Sequence, residues 1–193
     1  MRKILSKEEE EKKARRNQFL IGGAMVLIMV ASVLGYSLSR EQTTNNSEKV
    51  VYNGVEFTKQ SGFWSVVSGG YQFYFVYNPE ETERVSSILN PLKNYAGKPL
   101  YIYSDSVEAS SEIYRNLFYQ NQIVERVNPA CIEGGKCEDN SPIKTCESNF
   151  IVIKESNSTG IKQQENCVFI NGNIGNLTEL SDEFLFKITG IAQ

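Results

Sequence analysis

At 193 residues, 22% charged and 40% apolar, the chain has room for one folded domain with an appendage and enough apolar content to bury an ordinary core. A formal net charge of -3 and a pI near 5.2 exclude the broad basic surface of a nucleic-acid-binding protein. There is no histidine, so the commonest general base and metal ligand are missing, and neither a metal site nor a cofactor is expected.

Residues 1–18 form a charged stub. Glu8 and Lys12, Glu9 and Lys13, and Glu11 and Arg15 are each four apart with the acid first, the orientation that supports a helix. Next comes "FLIGGAMVLIMVASVLGYSL", Phe19 to Leu38, without a charge. At about 1.5 Å per residue such a stretch crosses roughly 30 Å of hydrocarbon. The spacing predicts a transmembrane helix over 19–38, with the lipid bilayer as its partner. Arg2, Lys3, Lys7, Lys12, Lys13, Arg15 and Arg16 precede the span, whereas residues 39–50 hold only Arg40 and Lys49. Basic flanks stay in the cytoplasm, which makes the chain a single-pass protein of the cell membrane with residues 39–193 outside. A cleaved signal peptide competes, but the apolar stretch is long and Glu8 to Glu11 are foreign to such a leader, so a retained anchor is favoured.

Residues 39–50, "SREQTTNNSEKV", read as a polar linker to a domain over 51–193. "VEFTK", "GFWSVV" and "YQFYFVYN", separated by "QSG" and "SGG", predict a three-stranded antiparallel meander. "NPEETERVSSIL" from Asn78 predicts a helix, with Asn78 as cap, Pro79 in the first turn and Glu81 three residues on. "KPLYIYSD" is a strand, and Val107, Ser110, Ile113, Tyr114, Leu117 and Phe118 mark one face of a following helix. "IVERV", "FIVIKE" and "CVFING" are further strands. A closing helix carries the stripe Leu177, Leu180, Phe184, Ile188 and Ile191, with Asn176 as cap and Glu179 completing a capping box. The expected fold class is therefore α+β: a meander followed by β-α units, a mixed sheet with helices on it.

Cys131, Cys137, Cys146 and Cys167 all fall on the expected outer side, where thiols oxidise, and their number is even. Their spacing lacks the close ligand pairs of a zinc site. Two disulfides follow, in one of three connectivities. Cys131 with Cys137 and Cys146 with Cys167 is favoured, because the first pair closes a glycine-containing loop and the second can tie two strands. The triplets at Asn45, Asn157 and Asn176 permit N-linked glycosylation in a host that performs it. Asn157, in "ESNSTG", suits an exposed turn best.

Motifs for catalysis are sparse. No nucleophile elbow, phosphate-cradling glycine loop, C-x-x-C pair or zinc-protease helix is present. Asp105 lies after a strand and before a helix, the end of an α/β sheet where ligands gather, although capping the helix is its plainer role. Trp64 and Tyr74 can offer a stacking platform for sugar or peptide, although burial in a core with the other aromatics of 63–77 is favoured for them too.

The combination of a short charged stub and one apolar span with "YNGVEF" (52–57), Trp64, "YNP" (77–79), "NPAC" (128–131), "TC" (145–146) and "NCVFING" (166–172) resembles small single-pass membrane proteins of unknown function from archaea. The likeness covers most of the chain; it implies export and paired cysteines and brings no activity with it. The expectation is a membrane-anchored extracytoplasmic domain of binding or envelope-associated role, with a protein or envelope component as partner, a non-enzymatic reading favoured over an enzymatic one. The alternatives are a tethered enzyme with a carboxylate site near Asp105, and an accessory subunit of a membrane complex that packs through Gly22 and Gly23.

Overall fold

The structure is a computed structural model that describes residues 7–41, 48–132, 137 and 141–192; within the first helix, side chains are described at 12 and 15–32. The chain divides into two compact units, 1–46 and 47–193.

The first unit is one helix, α1 (Lys7–Glu41). Phe19, Leu20, Met25, Leu27, Ile28 and Met29 are all exposed along it. Among the described residues no helix is long and apolar enough to cross a membrane. The charge-free stretch expected to span runs on to Leu38, beyond the described side chains.

The second unit begins a few residues before the expected start. Its first sheet has four strands rather than three: β1 (Lys49–Tyr52), β2 (Val55–Gln60), β3 (Phe63–Ser68) and β4 (Tyr71–Phe75), in that order and antiparallel throughout. Its hairpins turn on the pairs Asn53-Gly54, Ser61-Gly62 and Gly69-Gly70, with φ positive at both residues of each. That is the two-residue turn whose twist matches the strands, and glycine enters it without steric cost. One sheet face carries Phe57, Trp64, Val66, Phe73 and Phe75, all buried.

The segment 78–89 departs from expectation. It forms no helix. The Glu81 carboxylate does turn back to accept the Asn78 N–H at 2.9 Å, as a helix start requires, but later backbone N–H groups find side-chain partners elsewhere: Glu83 N–H donates to Glu179, and Asn90 N–H to Gln163 Oε1 at 3.2 Å. Burial there alternates, with Val85, Ser87 and Leu89 turned inward and Ser86 and Ile88 outward, the period of an extended strap.

After the strap come β5 (Pro99–Ser104), α2 (Val107–Tyr114), which runs on into a π-helical turn Arg115–Tyr119, then β6 (Arg126–Pro129), β7 (Asn149–Glu155), β8 (Gly160–Gln164), β9 (Cys167–Gly172) and α3 (Leu177–Ile188). The strands form a second sheet in the order β6-β5-β7-β9-β8, parallel except for edge strand β8.

Three layers result. α3 and α2 lie between the sheets: Phe186 of α3 meets Phe57 and Phe75 of the meander at 5.9 and 4.5 Å, and α3 also packs on β7, β8 and β9. The expected stripe on α3 is buried, but so are Ser181, Asp182, Glu183, Leu185 and Phe186. The expected capping box is absent, because Asn176 makes no side-chain cap and Glu179 serves the strap. On α2 the buried face is Ala109, Glu112, Ile113, Asn116 and Leu117, while Val107 and Tyr114 point outward, a rotation from the expected face.

A parallel sheet needs cover on both faces. Here the far face, with Tyr101, Tyr103, Phe150, Val152, Cys167 and Phe169, packs with Ala130, Ile132 and Cys146 of the loop after β6 into a second small core. Disulfides Cys131–Cys137 and Cys146–Cys167 secure that loop, the latter tying it to β9.

Candidate functional site

A groove of about 630 Å³ opens where the β2–β3 hairpin faces the end of α2. Gln60, Ser61, Phe63 and Tyr74 form one bank; Ser111, Tyr114, Arg115, Tyr119 and Gln120 form the other. Strand alternation explains the first bank, since Phe63 and Tyr74 sit on the sheet face opposite the core residues Trp64 and Phe75. The π-helical turn explains the second, because it places both Arg115 and Tyr119 at the groove; such turns recur at functional sites. Tyr119 is 69% exposed and Tyr114 43%. A second hollow of about 400 Å³, between α2 and the ends of β5 and β6, shares Ser111 and Tyr114 with the first. Together they form one strip around Tyr114.

Arg115 forms the groove's electrostatic floor. Its guanidinium bonds Glu112 through both forks at 2.9 and 2.7 Å, reaches the Tyr74 carbonyl at 3.3 Å, and lies 4.3 Å over the Phe63 ring. Behind it are two acids. Asp182 is fully buried, and one of its oxygens accepts the N–H groups of Val76 and Tyr77 at 3.1 and 2.9 Å. Burial and the neighbouring Glu112 charge hold the Asp182 carboxyl well above its ordinary range. Burial also raises Glu112, against the pull of Arg115.

The β4 edge beside the groove is sealed by amides. Asn116 accepts from Tyr74 N–H at 2.8 Å and donates to Tyr74 C=O at 2.8 Å; Asn121 treats Gln72 the same way at 3.2 and 2.9 Å. Each side chain stands in for a neighbouring strand.

Of the residues singled out from sequence, Tyr74 lies in the groove. Trp64 is 1% exposed, donates to Glu81 Oε2 at 3.1 Å and belongs to the core. Asp105 is exposed at the end of β5, and its carboxylate accepts the Glu155 N–H at 2.8 Å, tying β5 to β7. The cap of α2 is Ser106, whose Oγ accepts the Ala109 N–H at 3.2 Å. Asn157 is exposed in the β7–β8 turn, and Asn176 is exposed before α3. Asn45 lies outside the described residues. Among the described residues no group of three or more acids or cysteines is placed to hold a metal. Sequence reasoning missed Arg115, Tyr114 and Tyr119 as groove residues; an arginine amid tyrosines in "IYRNLFYQ" was the available signal.

No family model, curated protein or solved structure matches this chain.

Proposed function

We propose that the chain is a membrane-anchored binding protein, with residues 19–38 crossing the bilayer, the stub in the cytoplasm and the second unit displayed in an oxidising exterior. Unburied Phe, Leu, Ile and Met around α1 favour an apolar surrounding, because water would penalise such a patch. The two disulfides favour an oxidising compartment. The binding reading is carried by one observation: an open groove lined by Phe63, Tyr74, Tyr114, Tyr119 and a held arginine, side chains that give contact area at small entropic cost. An enzyme centred on Asp105 has less support, since that carboxylate is engaged with the Glu155 N–H.

Two measurements on intact cells test this. Protease added outside should remove the second unit and spare an N-terminal tag, and maleimide should label no cysteine until a reductant is added. A photo-crosslinking amino acid replacing Tyr119 should capture a binding component that the same group at Val67, on the outer face of the meander, does not. Protection of the domain with free thiols overturns the location; equal capture at both positions overturns the groove.

A further inference from the structure

We infer that the groove beside the π-helical turn is a site for a neutral saccharide, an inference that rests on reading that groove as the binding surface. The wall chemistry selects the class. A sugar ring offers an apolar C–H face and a rim of hydroxyls that both donate and accept. Tyr114 and Tyr119 expose ring surface, and Ser61, Gln60 and Gln120 supply paired donors and acceptors beside it.

The alternatives meet specific obstacles. Phosphate, carboxylate or nucleic acid would need free positive charge, but among the described residues of the lining Arg115 alone is charged, and both its forks are committed to Glu112. A peptide would dock most simply by adding a strand to β4, which is the sheet edge here. That edge is occupied: Asn121 satisfies Gln72, Asn116 satisfies Tyr74, and Asp182 takes the N–H groups of Val76 and Tyr77. An incoming main chain finds no ladder. The volume of about 630 Å³ fits a small-molecule site rather than a flat protein contact.

The test uses the full chain in detergent or nanodiscs, titrated calorimetrically with neutral hexasaccharides of glucose, mannose and N-acetylglucosamine, and in parallel with a galacturonate hexasaccharide and a tyrosine-containing hexapeptide. At least one neutral sugar should bind saturably. Tyr119→Ala and Tyr114→Ala should each weaken it by about tenfold, as loss of a stacking ring does, while Val67→Ala leaves it unchanged and circular dichroism reports all variants folded. Binding of the uronate or the peptide alone, with the same tyrosine dependence, overturns the saccharide and keeps the groove. Binding of nothing in the panel at millimolar concentration also overturns the saccharide, and crosslinking from position 119 then decides whether the groove reading falls with it.

Discussion

Asp182 and Glu112 occupy positions where two full negative charges are hard to hold. Asp182 has one oxygen on the N–H groups of Val76 and Tyr77; the other, buried, finds a partner among the described residues only if a proton is shared between it and Glu112. Arg115 faces Glu112 from the same helical run, and Glu183 pairs with Lys187 at 3.5 Å on α3. Carboxyls in the unfolded chain titrate near pH 4, whereas burial raises both members of this pair and Glu183 as well, the last against Lys187. The folded state thus binds more protons above that pH. The contribution of these three carboxyls to stability is full below about pH 4 and declines as pH rises through the raised values. Asp182→Asn keeps an acceptor for Val76 and Tyr77 and supplies a permanent donor to Glu112. Urea unfolding should show the variant about 1–2 kcal/mol more stable than the parent at pH 8 and with a flatter pH slope; an equal or lower stability at pH 8 removes the shared proton from the account. Tyr95 makes a smaller test of the same physics. Among the described residues its buried hydroxyl has no partner, so Tyr95→Phe should raise stability by about 1 kcal/mol, and a loss in the same unfolding assay would mean that the hydroxyl is satisfied.

At the scale of elements, legibility followed how local the determining chemistry was. Hairpins announced by Ser-Gly and Gly-Gly pairs, and strands such as "FIVIKE", could be read because turn residues and apolar runs act within a few positions. β1 was hidden because Lys49 sits among polar linker residues, although Asn53-Gly54 marks its hairpin. β8, "GIKQQ", has one buried apolar residue and forms only because β9 offers it a ladder. The strap over 78–89 carries sound helix-start residues, yet distant Glu179 and Gln163 claim its backbone. The burial of Asp182 and Glu183 on α3 has no local signal, since nothing nearby in the chain says that a second sheet will cover them. The groove was obscure for the same reason, its banks lying about 40–60 residues apart in the chain. Asn116 tests such a long-range element directly. Asn116→Ala leaves the N–H and C=O of Tyr74 without their partner, so stability should fall by about 2–3 kcal/mol, and the Tyr74 amide should exchange its hydrogen faster. Loss of stability without faster exchange at Tyr74 would place the effect in packing instead of the strand edge.

Across the whole domain, two sheets share one helical layer, so the far face of the largely parallel sheet lacks helical cover. The sequence meets the need with the loop after β6, whose Ala130, Ile132 and Cys146 lie against Phe150, Val152 and Phe169. The loop, residues 130–148, is long and mostly polar or glycine, so it contributes little apolar area and its closure depends on covalent ties. The tie from Cys146 to Cys167 closes 21 residues and anchors the loop to a central strand; that from Cys131 to Cys137 closes six. Chain entropy therefore ranks them, at about 3 kcal/mol for the first and about 2 for the second. Replacing Cys146 and Cys167 together by serine should cost more than replacing Cys131 and Cys137, and dithiothreitol should bring the parent near the level of the quadruple variant. The order is measured by denaturant midpoints of the full chain under matched buffer. If the Cys146–Cys167 pair proves the cheaper to remove, the loop is held by its own packing and the fold owes little to an oxidising exterior. If the order holds, the bond from Cys146 to Cys167 does more than that from Cys131 to Cys137 to keep the second sheet covered, and reduction of the pair weakens the domain most where the loop meets β9.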